Sequence, residues 1–428
     1  MTLPAPVHPV DPAPAAETPA AVPVTAFRLA ASVVSRAAGV VSRASGRGDG
    51  AVIGGRILGR FPHVARRLAA GRRVVLVSGT NGKTTTTTLL ARAMATAGPV
   101  TSNATGANTR QGIITALASS RTPTVVLECD EAWLPWCVEQ TRPDVVVLLN
   151  LSRDQLDRHH EVAALVGRWR EAVAAVPLVV ANADDPNTVW AAGGAEHQVW
   201  VSGHPGWTGD SVLCPQCRSL LSREGRDWSC GICGLRRPEP DWSVTDSVVT
   251  ARAGTVLGLD LALPGRVNQD NATAAMAAAQ AFGVDPAAAL ACFADVAAVA
   301  GRYSVVWSGD HRVRLLLAKN PAGWVEALAV SASSGGSVAL AVNAREVDGR
   351  DPSWLWDVDF ASLRGRPVVV SGDRALDAAV RLEVDEVDVL DSHSGVIAAL
   401  GALPPGPVDL IATYTAFDQA RQELAGGR

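Results

Sequence analysis

The chain has 428 residues, 48% of them hydrophobic, and a formal net charge of -4. This length and apolar content are enough for two or three globular domains, and the near-neutral charge gives no footprint for a nucleic-acid partner. The sequence contains no apolar run long enough to span a bilayer and no secretory leader, so we expect a cytoplasmic protein, with binding at a membrane surface left open.

The first part of the chain predicts the beginning of an α/β domain. Residues 1–26 are mostly Ala, Pro and Val, a composition that cannot bury a core, so we predict a disordered tail there. Residues 27–70 have a partly helical pattern. The apolar run Arg73–Ser78 then predicts a buried strand, which is followed by a glycine-containing loop and a helix over residues 84–97. Strand, loop and helix in this order begin a βαβ unit.

Later apolar runs continue this pattern in two blocks. They predict strands at residues 124–127, 145–149, 178–181, 313–317, 338–342, 368–370 and 410–412. Between the blocks, the composition of about 205–241 shifts to Cys, Gly, Trp and Arg, which indicates an inserted module, and 271–282 reads as an alanine-rich helix. We therefore predict an α/β protein with a central domain over 27–300, built on a parallel sheet, and a C-terminal α/β domain over 301–428.

A phosphate-binding loop follows the first strand. Its residues are Gly79, Thr80, Asn81, Gly82, Lys83, Thr84 and Thr85. Glycines let backbone N–H groups approach phosphate oxygens, the next helix points its positive end at them, and Lys83 neutralises β- and γ-phosphate charge. Thr84 is placed to ligate Mg²⁺. The general pattern has glycine where this chain has Val77, so the match is to a shorter variant; a turn without nucleotide is the alternative reading.

Polar residues follow the next two predicted strands. Glu128 comes directly after the run at residues 124–127, and Asn150 ends the following run and is trailed by Asp154. The carboxyl ends of parallel strands meet at one edge of the sheet, where ligands bind in α/β folds. Oxygen ligands there are suited to Mg²⁺. We therefore predict Thr84, Glu128 and Asp154 as magnesium ligands.

The cysteines predict a second metal. Cys214 and Cys217 form one Cys-x-x-Cys pair, and Cys230 and Cys233 form another twelve residues further on. Two such pairs close a tetrahedral Zn²⁺ site. Since all four positions are taken by thiolates, the zinc is expected to be structural, and the inserted module is expected to be a zinc ribbon.

Two further segments carry unusual polar residues. Asn268 and Asn271 lie just before the alanine-rich helix, where Asn271 is suited to cap its N-terminus. Residues 348–357 combine acids with two tryptophans, and Asp348 and Asp351 are among the acids. That density indicates an interface or a site loop rather than a core.

Together these residues resemble the Mur ligase family of ATP-dependent peptide-bond-forming enzymes. The likeness runs from about residue 72 to the end and is carried by residues 79–85, Glu128, 150–158, 182–186, Asn268 and Asn271. Two features refine the resemblance. The roughly 45 residues between the tail and the first strand are too few for the UDP-sugar precursor domain of the amino-acid-adding enzymes. The zinc ribbon and residues 348–357 are similar to the synthetase subunits of lipid II isoglutaminyl synthases.

The resemblance implies amidation of the D-glutamate α-carboxyl of the lipid II stem peptide at the cytoplasmic face of the membrane. It implies ATP, Mg²⁺ and structural Zn²⁺, and ammonia from a GatD-like glutaminase subunit in a heterodimer. It also implies that Asn268 and Asn271 approach the adenine and that Arg302 reaches the nucleotide. An aspartate is expected to complete the partner's Cys-His pair, with Asp351 the first choice and Asp348 the second. Gln155 stands where many relatives carry histidine, which puts a second metal ion in doubt.

Two other functions remain open from the residues. One is a stand-alone ligase that joins an amino acid to a carboxylate without a glutaminase. The other is a nucleic-acid-dependent P-loop ATPase whose zinc ribbon grips DNA or RNA, for which the ribbon's five arginines argue. That second alternative leaves the acids at the strand ends unexplained and offers no aromatic stacking platform.

Overall fold

The computed structural model of the protein describes residues 26–44, 52–61, 63–103, 107–153, 162–299, 302–346 and 348–426. The predicted tail lies outside the described residues except for Ala26, and the predicted magnesium ligand Asp154 lies outside them as well.

Three helices precede the first strand, and strands and helices then alternate. The helices are α1 (Ala26–Ala44), α2 (Ile53–Leu58) and α3 (Val64–Ala69). The alternating elements are β1 (Arg73–Ser78), α4 (Lys83–Ala95), β2 (Val100–Ser102), α5 (Arg110–Ser119), β3 (Thr124–Glu128), α6 (Leu134–Thr141), β4 (Val145–Leu148), α7 (Val162–Val173), β5 (Leu178–Asn182), α8 (Pro186–Ala192) and β6 (His197–Ser202).

The predicted inserted module follows β6 as a small hairpin, after which the chain returns to the sheet. The hairpin strands are β7 (Ser222–Glu224) and β8 (Asp227–Ser229). The next elements are β9 (Trp242–Thr245), β10 (Val248–Ala251), β11 (Val256–Gly258), α9 (Arg266–Gln280) and α10 (Pro286–Phe293). The hairpin is fixed to the main body because Trp228 Nε1 donates to the carbonyl of Ala183, 3.1 Å away.

The first sheet has nine strands in the order β11-β10-β9-β6-β5-β4-β1-β3-β2. Its strands run parallel except β10, which pairs antiparallel with both β9 and β11 near one edge. The central strands are continuous apolar runs because helices cover both faces, and Val74, Val75, Leu76 and Val77 are all fully buried. The strand order reverses at β1, so its carboxyl end opens on a crevice where ligands bind in this class of sheet.

The remaining residues form a second sheet of six strands in the order β12-β13-β17-β14-β15-β16, with β12 antiparallel at the edge. Its elements are β12 (Tyr303–Ser308), β13 (His311–Leu317), α11 (Pro321–Ala332), β14 (Ser337–Ala341), β15 (Val368–Ser371), α12 (Ala375–Val384), β16 (Val389–His393), α13 (Val396–Gly401), β17 (Gly406–Ala412) and α14 (Tyr414–Gly426). Two short 3-10 turns, Ser353–Asp357 and Ala361–Leu363, lie between β14 and β15. The predicted fold class, α/β with parallel-rich sheets, is confirmed.

Two polar contacts join the second sheet to the loop edge of the first. Asn81 Nδ2 donates to Asn320 Oδ1 at 3.1 Å, and Asn320 also caps α11 by accepting from Gly323 N–H at 2.9 Å. Arg153 lies 3.2 Å from a carboxylate oxygen of Asp357. These contacts place the start of α11 beside the phosphate loop.

Candidate active site

Two glycines with left-handed backbone angles shape the loop between β1 and α4. Gly79 has φ 151° and Gly82 has φ 84°. A Cβ atom on Gly82 would lie 2.3 Å from Asn271 Oδ1, and one on Gly79 would lie 2.9 Å from the Cβ of Leu149. A larger residue at either position would push the loop away from its neighbours, so both glycines are required by geometry.

The end of β4 braces the same loop. Asn81 N–H donates to Asn150 Oδ1 at 2.9 Å, and Asn150 Nδ2 donates back to the Asn81 carbonyl at 3.1 Å. Thr80 N–H donates to the Asn150 carbonyl at 3.0 Å. Asn150 therefore fixes the loop to the neighbouring strand, which is a role the sequence pattern alone did not give it.

Lys83, the first residue of α4, is almost fully buried at 4% exposure. Its ammonium group contacts the carbonyls of Gly79 and Thr80 and lies 3.0 Å from Glu131 Oε2. Burial raises the pKa of Glu131, but Lys83 and Lys319 lower it by more, so the pKa lies below its ordinary value and the carboxylate stays charged. The loop thus holds its ammonium group in place, with Glu131 as a counter-charge.

Thr84 and Glu128, two of the predicted magnesium ligands, are in direct contact. The Thr84 hydroxyl donates to Glu128 Oε2 at 2.8 Å, and Asn108 Nδ2 donates to Glu128 Oε1 at 3.0 Å. Glu128 is fully buried. Within the part of the chain that the structure describes, its carboxylate has neutral hydrogen-bond partners and no ion pair. A buried carboxylate of this kind is unfavourable without a cation, so the donor set fits Mg²⁺.

Asn268 and Asn271 lie on α9 and face the loop. Asn271 Oδ1 accepts from the Thr86 hydroxyl at 3.2 Å, and Asn268 Nδ2 donates to the Pro264 carbonyl at 2.6 Å. The predicted capping role of Asn271 is wrong: α9 starts at Arg266 after Gly265, so Asn271 is inside the helix. The helix starts earlier because Gly265, with φ 92°, provides the turn.

A cavity opens between the loop, α9 and the second sheet. Asn268, Asn271 and Arg302 line it together with loop residues 80–85. The rest of its wall is largely apolar. It comes from α9 and the segments around it and from β13 and α11, and it includes Leu263, Val267, Val299, Leu316, Leu317 and Val330. A nucleotide has charged phosphates and a largely apolar base. A positively charged loop beside an apolar pocket is therefore suited to bind one. The structure thus brings together the loop and all three residues expected to approach the nucleotide.

A second cavity lies on the other side of Asn81 and Asn271, and it is acidic. Five carboxylates line it: Asp184 and Asp185 follow β5, Asp210 lies in the segment after β6, Asp270 is on α9 and Glu326 is on α11. His204 lies within this group, with Nδ1 2.8 Å from Asp270 Oδ1. Burial raises the pKa of Asp185 to about 6. Glu326 lines both cavities, as Asn81 and Asn271 do, so the acidic cavity adjoins the cavity beside the loop.

Glu326 gives a testable pH dependence of stability. Burial raises its pKa to about 7, with Asp270 adding to the effect and with His204 and Arg266 opposing it. The folded protein therefore keeps this proton between about pH 4.5 and 7 while the unfolded chain loses it, so its contribution to stability falls as pH rises through that range. Glu326→Gln is expected to be about 1–3 kcal/mol more stable than the wild type near pH 9 and equally stable near pH 4.5. Denaturant unfolding at both pH values measures this, and an equal difference at both would contradict it.

The two aspartates proposed for the partner occupy different surroundings. Asp348 is 5% exposed, and its carboxylate accepts from the backbone N–H and hydroxyl of Thr415 and from Arg345 N–H. Asp351 is exposed and accepts from Ser353 N–H at 2.9 Å. This hydrogen bond lowers the pKa of Asp351 and keeps it charged. Asp351 is thus accessible to a second protein, while Asp348 is engaged within the chain.

The four predicted zinc ligands converge. The Sγ atoms of Cys214, Cys217, Cys230 and Cys233 all lie within 4.8 Å of one another. The pairs Cys214–Cys233 and Cys217–Cys230 are 3.6 Å and 3.4 Å apart, close to the spacing of about 3.8 Å that tetrahedral coordination with Zn–S bonds of about 2.3 Å requires. Both knuckles have the same turn, since Arg218 N–H donates to the Cys214 carbonyl and Gly234 N–H to the Cys230 carbonyl. The cluster therefore suits a tetrahedral metal ion.

Sequence reasoning missed three residues of the site. Glu131 is the partner of Lys83, Asn108 is a partner of Glu128, and Asn320 holds the loop from the second sheet. For Glu131 a signal was available, because it is a second acid in the segment after β3. Asn108 and Asn320 sit in segments whose sequence gives no sign of what they face.

Comparison with protein families gives two matches along the chain. Residues 77–213 match the Mur ligase middle domain, and residues 317–417 match the MurT ligase C-terminal domain. The MurT subunit of the glutamine-hydrolysing lipid II isoglutaminyl synthase of Streptococcus pneumoniae (strain ATCC BAA-255 / R6) is 29% identical over 88% of this chain and 93% of that protein. The chain is thus a homologue of MurT subunits, with a middle region that matches Mur ligases. The MurT subunit of Staphylococcus aureus (strain COL) is 28% identical over 74% of this MurT homologue and 78% of its own length.

Solved structures of Mur ligases share the fold. A pseudomurein peptide ligase type C from Methanothermus fervidus covers 83% of the MurT homologue and 79% of its own chain, with a TM-score of 0.65 and 18% identity. MurF from Acinetobacter baumannii covers 87% and 80%, with a TM-score of 0.65 and 17% identity. MurF from Thermotoga maritima in complex with ADP covers 87% and 84%, with a TM-score of 0.60 and 16% identity. At such identities these likenesses concern the fold alone.

Among the described residues of the MurT homologue, none of the helices is both long and apolar enough to cross a membrane.

Proposed function

We propose that the chain is the synthetase subunit of a lipid II isoglutaminyl synthase. In this proposal it uses ATP to amidate the D-glutamate α-carboxyl of the lipid II stem peptide and so forms D-isoglutamine. The observation that carries the proposal is the similarity to a MurT subunit over 88% of this chain and 93% of that protein. The loop, the buried carboxylate and the two cavities supply the chemistry that such a reaction needs.

A carboxylate is a poor electrophile, so the reaction is proposed to proceed through an acyl phosphate. A carboxylate oxygen attacks the γ-phosphorus of ATP while the bond to the β,γ-bridging oxygen breaks and ADP leaves. Ammonia then attacks the acyl carbon and loses a proton, and inorganic phosphate is expelled. Lys83 and the loop N–H groups stabilise negative charge on the transferring phosphoryl group.

The nucleotide is proposed to occupy the cavity between the loop and the second sheet. Its phosphates would lie at residues 79–85, and Asn268, Asn271 and Arg302 would approach the base and ribose. Thr84 and Glu128 would hold Mg²⁺, with Asp154 a predicted third ligand outside the described residues. Mg²⁺ held by these residues would neutralise part of the negative charge of the nucleotide's phosphates.

The acidic cavity is proposed to receive the nitrogen nucleophile. Its carboxylates attract an ammonium ion and repel the glutamate carboxylate, so the two reactants are expected to enter the site from different sides. Glu326 is well placed to accept a proton there, because it borders both cavities. In this proposal residues 27–300 act as the ATP-binding domain, and residues 301–428 close the nucleotide cavity.

Ammonia is proposed to come from a separate GatD-like glutaminase in a heterodimer. No glutaminase signature is evident in the sequence of this chain. Asp351 is proposed to complete the partner's Cys-His pair, because it is exposed whereas Asp348 is engaged with Thr415. The complex is proposed to work in the cytoplasm at the inner face of the membrane, where its lipid-linked substrate is accessible.

The deciding experiment is co-expression of the chain with a glutaminase subunit and mass spectrometry of lipid II after incubation with ATP and glutamine. We expect the small mass decrease that accompanies conversion of OH to NH₂. The absence of any mass change with an intact partner would contradict amidation. ADP formation with an amino acid acceptor and no glutaminase would favour a stand-alone ligase instead, and stimulation by nucleic acid would favour the ATPase alternative.

The four cysteines are proposed to bind a structural Zn²⁺. Cys214→Ser is expected to lose the zinc that the wild type releases stoichiometrically, and to lower the melting temperature, because metal binding supplies the folding free energy of such small modules. Cys292→Ser, which changes a cysteine outside the cluster, is the matched control and should retain the metal. Zinc is measured with a chromophoric chelator, and equal zinc in both variants would contradict the assignment.

A further inference from the structure

The first helix of the protein presents its larger apolar side chains to the outside. Its buried face consists of small residues, among them Ala31, Ser32 and Ser35. Its exposed face carries larger aliphatic residues: Leu29 is 48%, Val33 61% and Val40 57% exposed. An ordinary surface helix has the opposite arrangement, with the large apolar side chains buried. Small residues inside and aliphatic residues outside indicate a helix that packs on the protein and meets something apolar on its other side.

The second helix extends this exposed apolar surface. α1 and α2 approach closely, since a Cβ on Gly54 would lie 2.4 Å from Ser35 Oγ. Ile57 on α2 is 38% exposed, and Phe61 just after it is 57% exposed. Two adjacent helices of the same short segment thus leave large apolar side chains uncovered.

The same segment is strongly basic, although the whole chain is not. Residues 26–73 contain ten arginines and a single acid, Asp49, within a chain whose net charge is -4. Arg36, Arg56 and Arg60 are exposed. Within the described ranges, no carboxylate lies in ion-pair contact with these three side chains. The charge of this region is therefore available to an anionic partner.

We propose that this N-terminal face, formed by Leu29, Val33, Val40, Arg56, Arg60 and Phe61, docks the protein on an anionic lipid bilayer. The apolar side chains enter the boundary between headgroups and acyl chains, and the arginines contact lipid phosphates. The inference rests on the proposed function, because a lipid-linked substrate requires the enzyme at a bilayer surface.

Exposed aliphatic side chains next to exposed arginines favour a bilayer over other partners. A nucleic acid would use the arginines but would leave Leu29, Val33 and Val40 in contact with polar phosphates. A second copy of this face would bring the same positive charge against itself. A bilayer with anionic headgroups satisfies both the charges and the aliphatic side chains, since it is apolar below a negatively charged surface.

Vesicle flotation of the full chain in complex with its glutaminase subunit tests the proposal. Vesicles of phosphatidylcholine mixed with phosphatidylglycerol should carry the complex with them, and vesicles of phosphatidylcholine alone should not. The double variant Arg56→Gln, Arg60→Gln is expected to lose about fivefold in vesicle affinity for each arginine removed at low salt. Val33→Ser together with Phe61→Ser is expected to abolish binding at physiological salt, where the charge contribution is screened.

Matched controls come from exposed positions elsewhere. Val256→Ser changes a valine of nearly the same exposure, 63% against 61% for Val33, and Arg312→Gln changes an exposed arginine of the second sheet; both should bind vesicles as the wild type does. Absence of flotation, equal flotation on neutral vesicles, or loss of the glutaminase subunit from the N-terminal variants would each overturn the proposal. Amidation of lipid II dissolved in detergent is measured in parallel, and the N-terminal variants should retain this activity. The assay thereby distinguishes a failure of membrane docking from a failure of the proposed function.

Discussion

Replacing Lys83 by arginine is expected to abolish acyl-phosphate formation although the charge is conserved. Lys83 and Lys319 are the only lysines among the 38 basic residues of the chain, so arginine serves almost everywhere else. The ammonium of Lys83 is buried against the carbonyls of Gly79 and Thr80, and a planar guanidinium is too large for this position. We expect ATP- and lipid II-dependent ADP release to fall by about 10²–10³-fold, the loss typical when one preorganised charge-stabilising donor is removed.

Arg92→Lys is the matched control for this prediction. Arg92 lies in the last turn of the same helix and is exposed, so the exchange of one cation for the other should leave the rate and the melting temperature unchanged. A Lys83→Arg protein that melts like the wild type and keeps a substantial part of its activity would show that the loop does not need a compact cation.

Asp351→Asn is expected to reduce amidation with glutamine but not amidation with free ammonium. If the carboxylate orients the histidine of the partner's Cys-His pair, its loss should reduce glutamine-dependent amidation by about 10³–10⁴-fold, as loss of the orienting carboxylate does in hydrolytic triads. Asp351 does not line the cavity proposed for the nucleotide, so amidation with added ammonium chloride should be unchanged. Mass spectrometry of lipid II with each nitrogen source measures both rates.

Asp348→Asn distinguishes a contribution to structure from one to the partner's chemistry. Its carboxylate accepts hydrogen bonds from Thr415 and Arg345. We therefore expect the variant to have a lower melting temperature and to lose amidation activity equally with glutamine and with ammonium chloride. The opposite result would assign the partner's aspartate to Asp348. In that case Asp351→Asn would lose amidation equally with glutamine and ammonium chloride, and Asp348→Asn would lose only the glutamine-dependent reaction.

The strands buried in the sheet centres were predictable because each is a continuous apolar run. β1, Arg73–Ser78, was predicted with its exact observed bounds, and β3, β4 and β5 were predicted within one residue. Strands at the edges were not predicted, and neither were β6 and β9, which lie between the centre and one edge of the first sheet. β16, Val389–His393, contains Asp391 and Ser392 and is half exposed, so it has no apolar run to recognise. The short strands β10 and β11 are visible only through their pairing.

The phosphate loop was predictable because its residues are consecutive and its geometry is local. The partners of the loop are not local: Glu131 is 48 residues from Lys83, and Asn320 is 239 residues from Asn81. Such pairs depend on how the strands are ordered in space, which no local pattern contains. The four cysteines were a favourable exception because their spacing is itself a description of the metal site.

If the chain works with a glutaminase as proposed, the contacts between Asn81 and Asn320 and between Arg153 and Asp357 would couple its own reaction to the release of ammonia by the partner. Because the cavity proposed for ATP is lined by the phosphate loop and α9 on one side and by β13 and α11 on the other, ATP should bind more tightly when the two sides are held in a fixed orientation. Asp357 lies in the same short segment as Asp351, so a glutaminase bound there would help to fix that orientation. Binding free energies are reciprocal, and ATP must then strengthen binding of the glutaminase by the same factor. Ammonia would be released mainly when an acyl phosphate is ready to consume it.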